Sequence, residues 1–166
     1  MNITFAGDKV NLTGTPIKIG DKAPSFKATF TDLSEFDSSN LKDRVVIYSV
    51  VPSIDTKVCS LQTQRFNEEA AKLDDDIRVV TVSLDLPFAQ ERFCGAHGIE
   101  QAMIVSDFKN REFGKNYGFY MENIGLLARG IVVVDKDGIV QYVEYVPEVT
   151  NEVDFDKALE EAKKLV

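Results

Sequence analysis

The strongest constraint on the fold is an apolar run that is followed by a helical pattern and then by a second apolar run. Residues Val45 to Val51 are almost continuously apolar, as in a strand that is buried on both faces of a sheet. From Thr56 to Leu73 the apolar residues recur mostly at helical spacing, and Ile77 to Leu84 again have a strand pattern. A strand, a helix and a strand in this order predict a parallel βαβ unit.

The segments that follow this unit predict further strands and helices. Pro87 suits the first turn of a helix that Gly95 or Gly98 would end, and residues 102–107 contain a short apolar run. A hairpin signal at residues 135–138 separates two strand-like runs, and the tail from Asn151 again has helical spacing. The sequence therefore predicts an α/β fold with a mixed central β-sheet flanked by helices.

The N-terminal residues 1–14 are predicted to form a hairpin extension, with Gly7 and Asp8 as its tight turn. A stretch rich in Pro and Gly follows, and it has the pattern of a surface connection. Neither a repeat nor a low-complexity segment divides the chain. We therefore predict a single domain over residues 1–166.

Composition excludes several classes of function. The chain has a formal net charge of −8, and an acidic chain lacks the basic face that nucleic acids and anionic membranes require, so neither partner is predicted. The start has no signal-peptide pattern and no run reaches the roughly 20 apolar residues of a membrane span, which predicts a cytoplasmic protein. Two cysteines and the single His97 make a disulfide framework or a zinc site improbable, and no metal or other cofactor is predicted.

Cys59 lies where the first strand of the βαβ unit gives way to the helix, in the segment PSIDTKVCS. Catalytic groups in open α/β sheets gather at the carboxyl ends of the strands, and a helix start favours an ionised thiol. Pro52 interrupts the strand and could form a wall of the pocket. Thr56 lies one turn before Cys59, where its hydroxyl could cap the helix, face the sulfur, or do both. The alternative is that Cys59 is a small buried hydrophobic residue without chemistry.

Pro52, Thr56 and Cys59 match the Pro-x-x-x-Thr-x-x-Cys motif of the peroxiredoxins, and the chain resembles that superfamily over nearly its whole length. Cys94, which ends LPFAQERFC about 35 residues later, and Arg129 in GLLARGIVVVDKDG resemble the thiol peroxidase branch, in which both reacting cysteines lie in one chain. The resemblance implies a thioredoxin-like fold and a homodimer. It also implies reduction of hydrogen peroxide and organic hydroperoxides, with thioredoxin as the reductant.

A role for each site residue follows from this resemblance. The Cys59 thiolate would attack the peroxide, while Arg129 stabilises the thiolate and the developing charge. Thr56 would orient the peroxide oxygens beside Pro52. The sulfenic acid on Cys59 would then condense with Cys94 to form an intrachain disulfide. The Cα atoms of a disulfide lie about 4.4 to 6.8 Å apart, and cysteines on two separate helices need not start that close. We therefore expect the helical turn at Cys59 to unwind before the bond closes, and the helix around Cys94 is a further candidate for unwinding.

Three other functions remain open at the level of the sequence. A dithiol oxidoreductase would require Cys-x-x-Cys, and the chain has Cys59-Ser-Leu-Gln62 instead. A cysteine hydrolase would pair Cys59 with His97, although a surface imidazole after a helix end explains His97 better. A binding domain with inert thiols would have a Cys59 no more reactive than free cysteine.

Overall fold

The computed structural model describes all 166 residues. Besides a 3₁₀ helix at Ser38–Leu41, it contains the following elements in chain order: β1 (Ile3–Phe5), β2 (Asp8–Val10), β3 (Lys27–Phe30), β4 (Glu35–Asp37), β5 (Val45–Val50), α1 (Lys57–Ala70), β6 (Ile77–Ser83), α2 (Pro87–His97), β7 (Met103–Ser106), α3 (Glu112–Asn116), β8 (Tyr120–Met121), β9 (Leu126–Leu127), β10 (Gly130–Val134), β11 (Val140–Tyr145) and α4 (Phe155–Lys163).

Seven strands form one mixed sheet in the order β11-β10-β5-β6-β7-β3-β4. β6 is parallel to both β5 and β7, and the other neighbouring pairs in the sheet are antiparallel. The predicted parallel βαβ unit is confirmed, with α1 between β5 and β6, and the predicted hairpin of β10 and β11 also forms. The carboxyl ends of β5, β6 and β7 therefore meet at one edge of the sheet.

Both faces of the sheet are covered, which explains the continuous apolar run in β5. Val46, Tyr48 and Val50 point into one buried cluster, which also contains side chains of the N-terminal segment and α3. Val45 and Ile47 point into a second cluster, which is completed by α1 and α4. Alternate residues of a strand face opposite sides, so both sets must be apolar when helices and loops cover both sides.

The N-terminal hairpin is present, but its predicted turn is wrong by one residue. Phe5 pairs with Asp8, so Ala6 and Gly7 form the turn. Their φ angles are 50° and 86°, and two successive positive values match the strand twist in a two-residue hairpin. Gly7 accepts such a φ without a steric cost, and the pattern Gly-Asp favoured the later pair because Asp is also common in turns.

The end of α2 decides between two predicted alternatives, since the helix continues through Gly95 and ends before Gly98, which adopts a left-handed φ of 64°. Two further local features differ from the sequence pattern or were missed by it. Leu61 of α1 is 47% exposed although it fits the apolar spacing. The short hairpin of β8 and β9 was not predicted, because strands of two residues carry no periodic signal.

No helix is long and apolar enough to cross a membrane. No group of three or more His, Cys, Asp or Glu side chains is arranged to hold a metal ion.

Candidate active site

The end of β5 and the start of α1 bring Cys59 to the edge of the sheet where the parallel strands end. β5 stops at Val50, the loop turns at Pro52, which is buried, and α1 begins after Thr56. Thr56 has extended backbone angles, and its hydroxyl accepts the Cys59 N–H at 3.4 Å, so the predicted helix cap is confirmed. The same hydroxyl donates to the Ser53 carbonyl at 3.2 Å. Cys59 itself has 0% exposure.

Arg129 reaches Cys59 from the neighbouring strand. β10 pairs with β5 so that Gly130 lies opposite Val50, and this register brings Arg129, one residue earlier, beside the end of β5. The Arg129 Nη2 atom donates to the Cys59 Sγ atom at 3.0 Å. Gly130 itself allows β10 to approach β11 closely, because a Cβ atom there would collide with the Glu144 carbonyl oxygen and lie 2.7 Å from the Phe119 ring.

The other nitrogens of Arg129 fix the direction of the guanidinium. Nε donates to the Val149 carbonyl at 2.7 Å, and Nη1 donates to Gln62 Oε1 at 2.8 Å. Gln62 is itself held by a hydrogen bond from its Nε2 to Ser49 Oγ at 2.8 Å. Three bonds on three nitrogens leave the planar group little freedom, so one nitrogen stays directed at the sulfur.

Gln62 and Ser49 were missed by the sequence analysis. Both are fully buried, although their side chains are polar. Gln62 lies one turn after Cys59 on the same face of α1, so a glutamine on a face that also carries a candidate nucleophile was the available signal. Ser49 sits inside the apolar β5 run, where a hydroxyl requires a buried partner. Nothing in the local pattern identifies Arg129 as part of the same network.

The charge of Arg129 has no carboxylate partner. Arg129 is 2% exposed, and none of the ion pairs of the structure includes its guanidinium. A buried charge without an opposite charge is unfavourable, and the groups that touch the guanidinium are two oxygens of neutral amides and one sulfur. A thiolate on Cys59 would supply the missing negative charge.

Cys94 lies on α2, where it is half-buried and packs against the small apolar cluster that contains Cys59 and Ile54. Both cysteines are free thiols. Burial raises the pKa of the Cys94 thiol, and the charge of Glu91 adds to this effect, so Cys94 is protonated at neutral pH. The two thiols therefore occupy different electrostatic environments, since a cation faces Cys59 and an anion influences Cys94.

His97 is exposed at the end of α2, with its ring centroid 4.4 Å from that of Phe93. This placement agrees with a surface imidazole. A Cys59–His97 pair, as in a cysteine hydrolase, has no support in the contacts of Cys59, because the charged partner of its sulfur is a guanidinium.

The loop before α1 is fixed by a carboxylate that the sequence analysis did not identify. Asp85 follows β6 and accepts hydrogen bonds from Ser53 Oγ at 2.8 Å and from the Ile54 N–H at 2.9 Å. The two segments come together because β5 and β6 are adjacent and parallel, so the loops after them leave the same edge. Residues that are more than 30 positions apart thus hold the start of α1.

Comparison with known proteins agrees with this arrangement. The model of the Redoxin family matches residues 18–159. The thiol peroxidase of Bacillus subtilis (strain 168) is 49% identical over 99% of this chain and 98% of its own length, and that of Halalkalibacterium halodurans is 51% identical over 98% and 97%. A crystal structure of a peroxiredoxin-like protein from Aquifex aeolicus superimposes with a TM-score of 0.94 at 38% identity, and covers 99% of this chain and 97% of that chain. This agreement confirms the predicted thioredoxin-like fold.

Proposed function

The chain belongs to the redoxin family and is a thiol-dependent peroxidase, and we propose that Cys59, Arg129 and Cys94 carry out its reaction. The Cys59 thiolate attacks one oxygen of the peroxide in line with the O–O bond. A sulfur–oxygen bond forms while the O–O bond breaks, and its electron pair leaves with the second oxygen. That oxygen takes up a proton and departs as water or an alcohol. Sulfur is oxidised to a sulfenic acid, and the peroxide is reduced.

The contact between Arg129 and Cys59 is the observation that carries this proposal. The 3.0 Å bond from Nη2 to Sγ favours the thiolate before the attack. As the attack proceeds, the negative charge moves from the sulfur to the departing oxygen. A guanidinium that stays protonated and is fixed by two other bonds can stabilise both positions without reorienting.

Thr56 and Pro52 are proposed to shape the space in which the peroxide binds. The Thr56 hydroxyl donates to the Ser53 carbonyl in the resting protein, and it can redirect this donor to a peroxide oxygen while it still caps α1. Pro52 is buried beside the loop and limits access of water to the thiolate. Since Cys59 has 0% exposure, the loop or a neighbouring side chain must move slightly before a peroxide touches the sulfur.

In the second step, the Cys94 thiol attacks the sulfenic sulfur of Cys59, and a disulfide forms with release of water. The raised pKa of Cys94 fits this role, since a protonated thiol does not compete for the peroxide. A dithiol then reduces the disulfide, and we propose thioredoxin as that dithiol because of the resemblance to the thiol peroxidase branch. Hydrogen peroxide and organic hydroperoxides are the proposed substrates.

Peroxide consumption in the presence of thioredoxin, thioredoxin reductase and NADPH tests the proposal. Cys59→Ser should abolish turnover. Cys94→Ser should reduce one equivalent of peroxide for each site and then recycle poorly, so each cysteine variant controls for the other. Steady-state turnover of Cys94→Ser at the wild-type rate would contradict the role of Cys94. A Cys59 that reacts with peroxide no faster than free cysteine would contradict the first step.

We further propose one domain over residues 1–166, a homodimer, and a cytoplasmic location. The domain proposal is supported by Ile3 and Val10 of the N-terminal hairpin, which lie in the same buried cluster as residues of β5 and β10. The dimer and the location are implied by the resemblance. Sedimentation equilibrium of the reduced protein tests the dimer, and fractionation of cells tests the location.

A further inference from the structure

A chain of hydrogen bonds joins the loop before α1 to helix α2. The Asp85 carboxylate, which holds Ser53 and Ile54, also accepts a bond from Ser83 Oγ at 2.6 Å. Ser83 Oγ in turn accepts a bond from Gln90 Nε2 at 3.0 Å. We call Ser53, Asp85, Ser83 and Gln90 the clasp. None of the four residues touches Arg129 or the sulfur of Cys59 through a hydrogen bond.

The two ends of the clasp lie close to the two cysteines. Ser53 belongs to the loop that leads into the first turn of α1, which carries Cys59. Gln90 lies on α2 four residues before Cys94, so the two residues are one helical turn apart on the same side of the helix. Any displacement of one cysteine segment relative to the other therefore acts on the clasp.

Gln90 anchors α2 from inside the protein. Its side chain is fully buried, and its Nε2 atom also donates to the Val105 carbonyl at 3.0 Å. Its Oε1 atom is buried and receives no hydrogen bond. A buried carbonyl oxygen without a donor is unfavourable, and water would satisfy it once α2 moves outward. The anchor thus fixes the position of α2 but is weakened by its own unpaired atom, which suits a contact that has to open.

We propose that the clasp sets the rate at which Cys94 reaches the oxidised Cys59, with Ser83, Asp85 and Gln90 as positioning residues. The inference rests on the proposed function, because it concerns the step that joins the Cys59 sulfenic acid and the Cys94 thiol with loss of water. While the clasp is closed, a second peroxide can oxidise the sulfenic acid to a sulfinic acid and is itself reduced to water or an alcohol. The clasp therefore determines how oxidised Cys59 divides between disulfide and sulfinic acid.

Ser83→Ala tests this inference, since it removes the central link, together with the bond that the Asp85 N–H donates to Ser83 Oγ at 3.3 Å. The bonds from Ser53 and Ile54 to the Asp85 carboxylate and the bond from Gln90 to the Val105 carbonyl stay in place. The reduced full-length protein is mixed with one equivalent of hydrogen peroxide and quenched with an alkylating reagent, and mass spectrometry then separates the thiol, sulfenic and disulfide forms. Because fewer hydrogen bonds have to break, the disulfide should form about 3- to 10-fold faster, with an unchanged rate of Cys59 oxidation. The peroxide concentration that gives half-maximal sulfinic acid should rise by the same factor.

Thr81→Val is the matched control. Thr81 lies on β6 two residues before Ser83. It is fully buried, and its hydroxyl has no hydrogen-bond partner. The variant removes a buried hydroxyl without touching the clasp, so its rate of disulfide formation should equal that of the wild type. A general effect of removing a buried hydroxyl would appear in both variants, whereas an effect of the clasp appears only in Ser83→Ala.

A disulfide step in Ser83→Ala that is no faster than in the wild type would overturn the inference. If Ser83→Ala does not fold, Ser53→Ala is the second variant. It removes the bond to Asp85 at the other end of the clasp and the bond that the N–H of the exposed Asp55 donates to Ser53 Oγ, and the same acceleration is expected. An unchanged or slower disulfide step in that variant would overturn the inference equally. Failure of the wild type to form any disulfide between Cys59 and Cys94 would instead refute the second step of the proposed function.

Discussion

Replacing Gln62 by Glu tests whether the Cys59 thiolate is the anion that compensates the buried charge of Arg129. In the wild type, Gln62 Oε1 and Cys59 Sγ accept hydrogen bonds from the two terminal nitrogens of Arg129, at 2.8 and 3.0 Å. Glu has almost the same shape as Gln, and the hydroxyl of Ser49 can rotate to donate to its carboxylate. The substitution therefore gives Arg129 a second anion, which competes with the thiolate.

The size of the effect follows from the geometry of the guanidinium. Because the oxygen and the sulfur are bound to two nitrogens of one planar group, the two anions would lie about 5 Å apart. At an effective dielectric constant of about 20, two like charges at that distance repel by about 3 kcal/mol, or about 100-fold in the population of thiolate. We expect oxidation of Cys59 in Gln62→Glu to slow by up to about 100-fold near neutral pH, and to recover as the pH rises.

Single-turnover oxidation by hydrogen peroxide and the rate of alkylation by iodoacetamide, both measured as a function of pH, give the required data. Gln64→Glu is the control, because it adds the same charge to the same helix at a side chain that bonds only to Ser60. Its profiles should match those of the wild type. If Gln62→Glu also keeps the wild-type profiles for both reactions, Arg129 does not stabilise the thiolate, and the electrostatic account of the site is refuted.

Three other perturbations test the scaffold of the site. Gly130→Ala should lower the free energy of unfolding by about 1 to 3 kcal/mol, measured in urea, because its Cβ would collide with the Glu144 carbonyl. An unchanged free energy of unfolding would contradict the close approach of β10 and β11 at this residue. Burial raises the pKa of Asp107 to about 6, above its value of 3.8 in an unfolded chain. The folded protein therefore holds this proton more tightly than the unfolded chain does, and the resulting stabilisation is complete below pH 3.8 and is lost as the pH rises through 6. The stability of Asp107→Asn relative to the wild type should therefore increase by about 3 kcal/mol between pH 3 and 8 in urea titrations, and a pH-independent difference would contradict this. Thr56→Val removes the cap that receives the Cys59 N–H and should cost about 1 kcal/mol in urea unfolding, whereas Thr56→Ser, which keeps the hydroxyl, should not.

Local patterns in the sequence were sufficient to predict the βαβ unit and the place of Cys59 within it. The β5 run and the helical spacing after it predict a parallel βαβ unit, because burial on both faces of a sheet leaves a continuous apolar signal. The same signals place Cys59 in the first turn of a helix, and Thr56, three residues earlier, is a residue type that commonly caps a helix start. Arg129 was predicted only through the resemblance, since its contact with Cys59 depends on how β10 pairs with β5.

The buried polar groups were not predictable in the same way. Gln62 and Thr63 lie on the buried face of α1, while Leu61, which fits the apolar spacing, is largely exposed. Burial of a polar side chain is unfavourable unless a partner reaches it, and one partner of Gln62 lies 67 positions away in sequence, at Arg129. Patterns of hydrophobicity contain no information on such a partner, so the polar residues on the buried face of α1 were not identified.

We propose that the same buried charge connects the reaction to the expected unwinding of the helical turn at Cys59. In the proposed mechanism, the thiolate of the reduced protein compensates Arg129, so that electrostatic attraction holds the first turn of α1 in place. The disulfide is neutral, and once it forms, nothing negative in the pocket faces the guanidinium. The folded position of Cys59 then loses its electrostatic advantage, which lowers the free energy needed to keep the turn unwound. Reduction restores the thiolate and with it the attraction. We therefore propose two contributions of Arg129: it activates the sulfur for attack, and it makes the ordered turn most stable in the redox state that attacks.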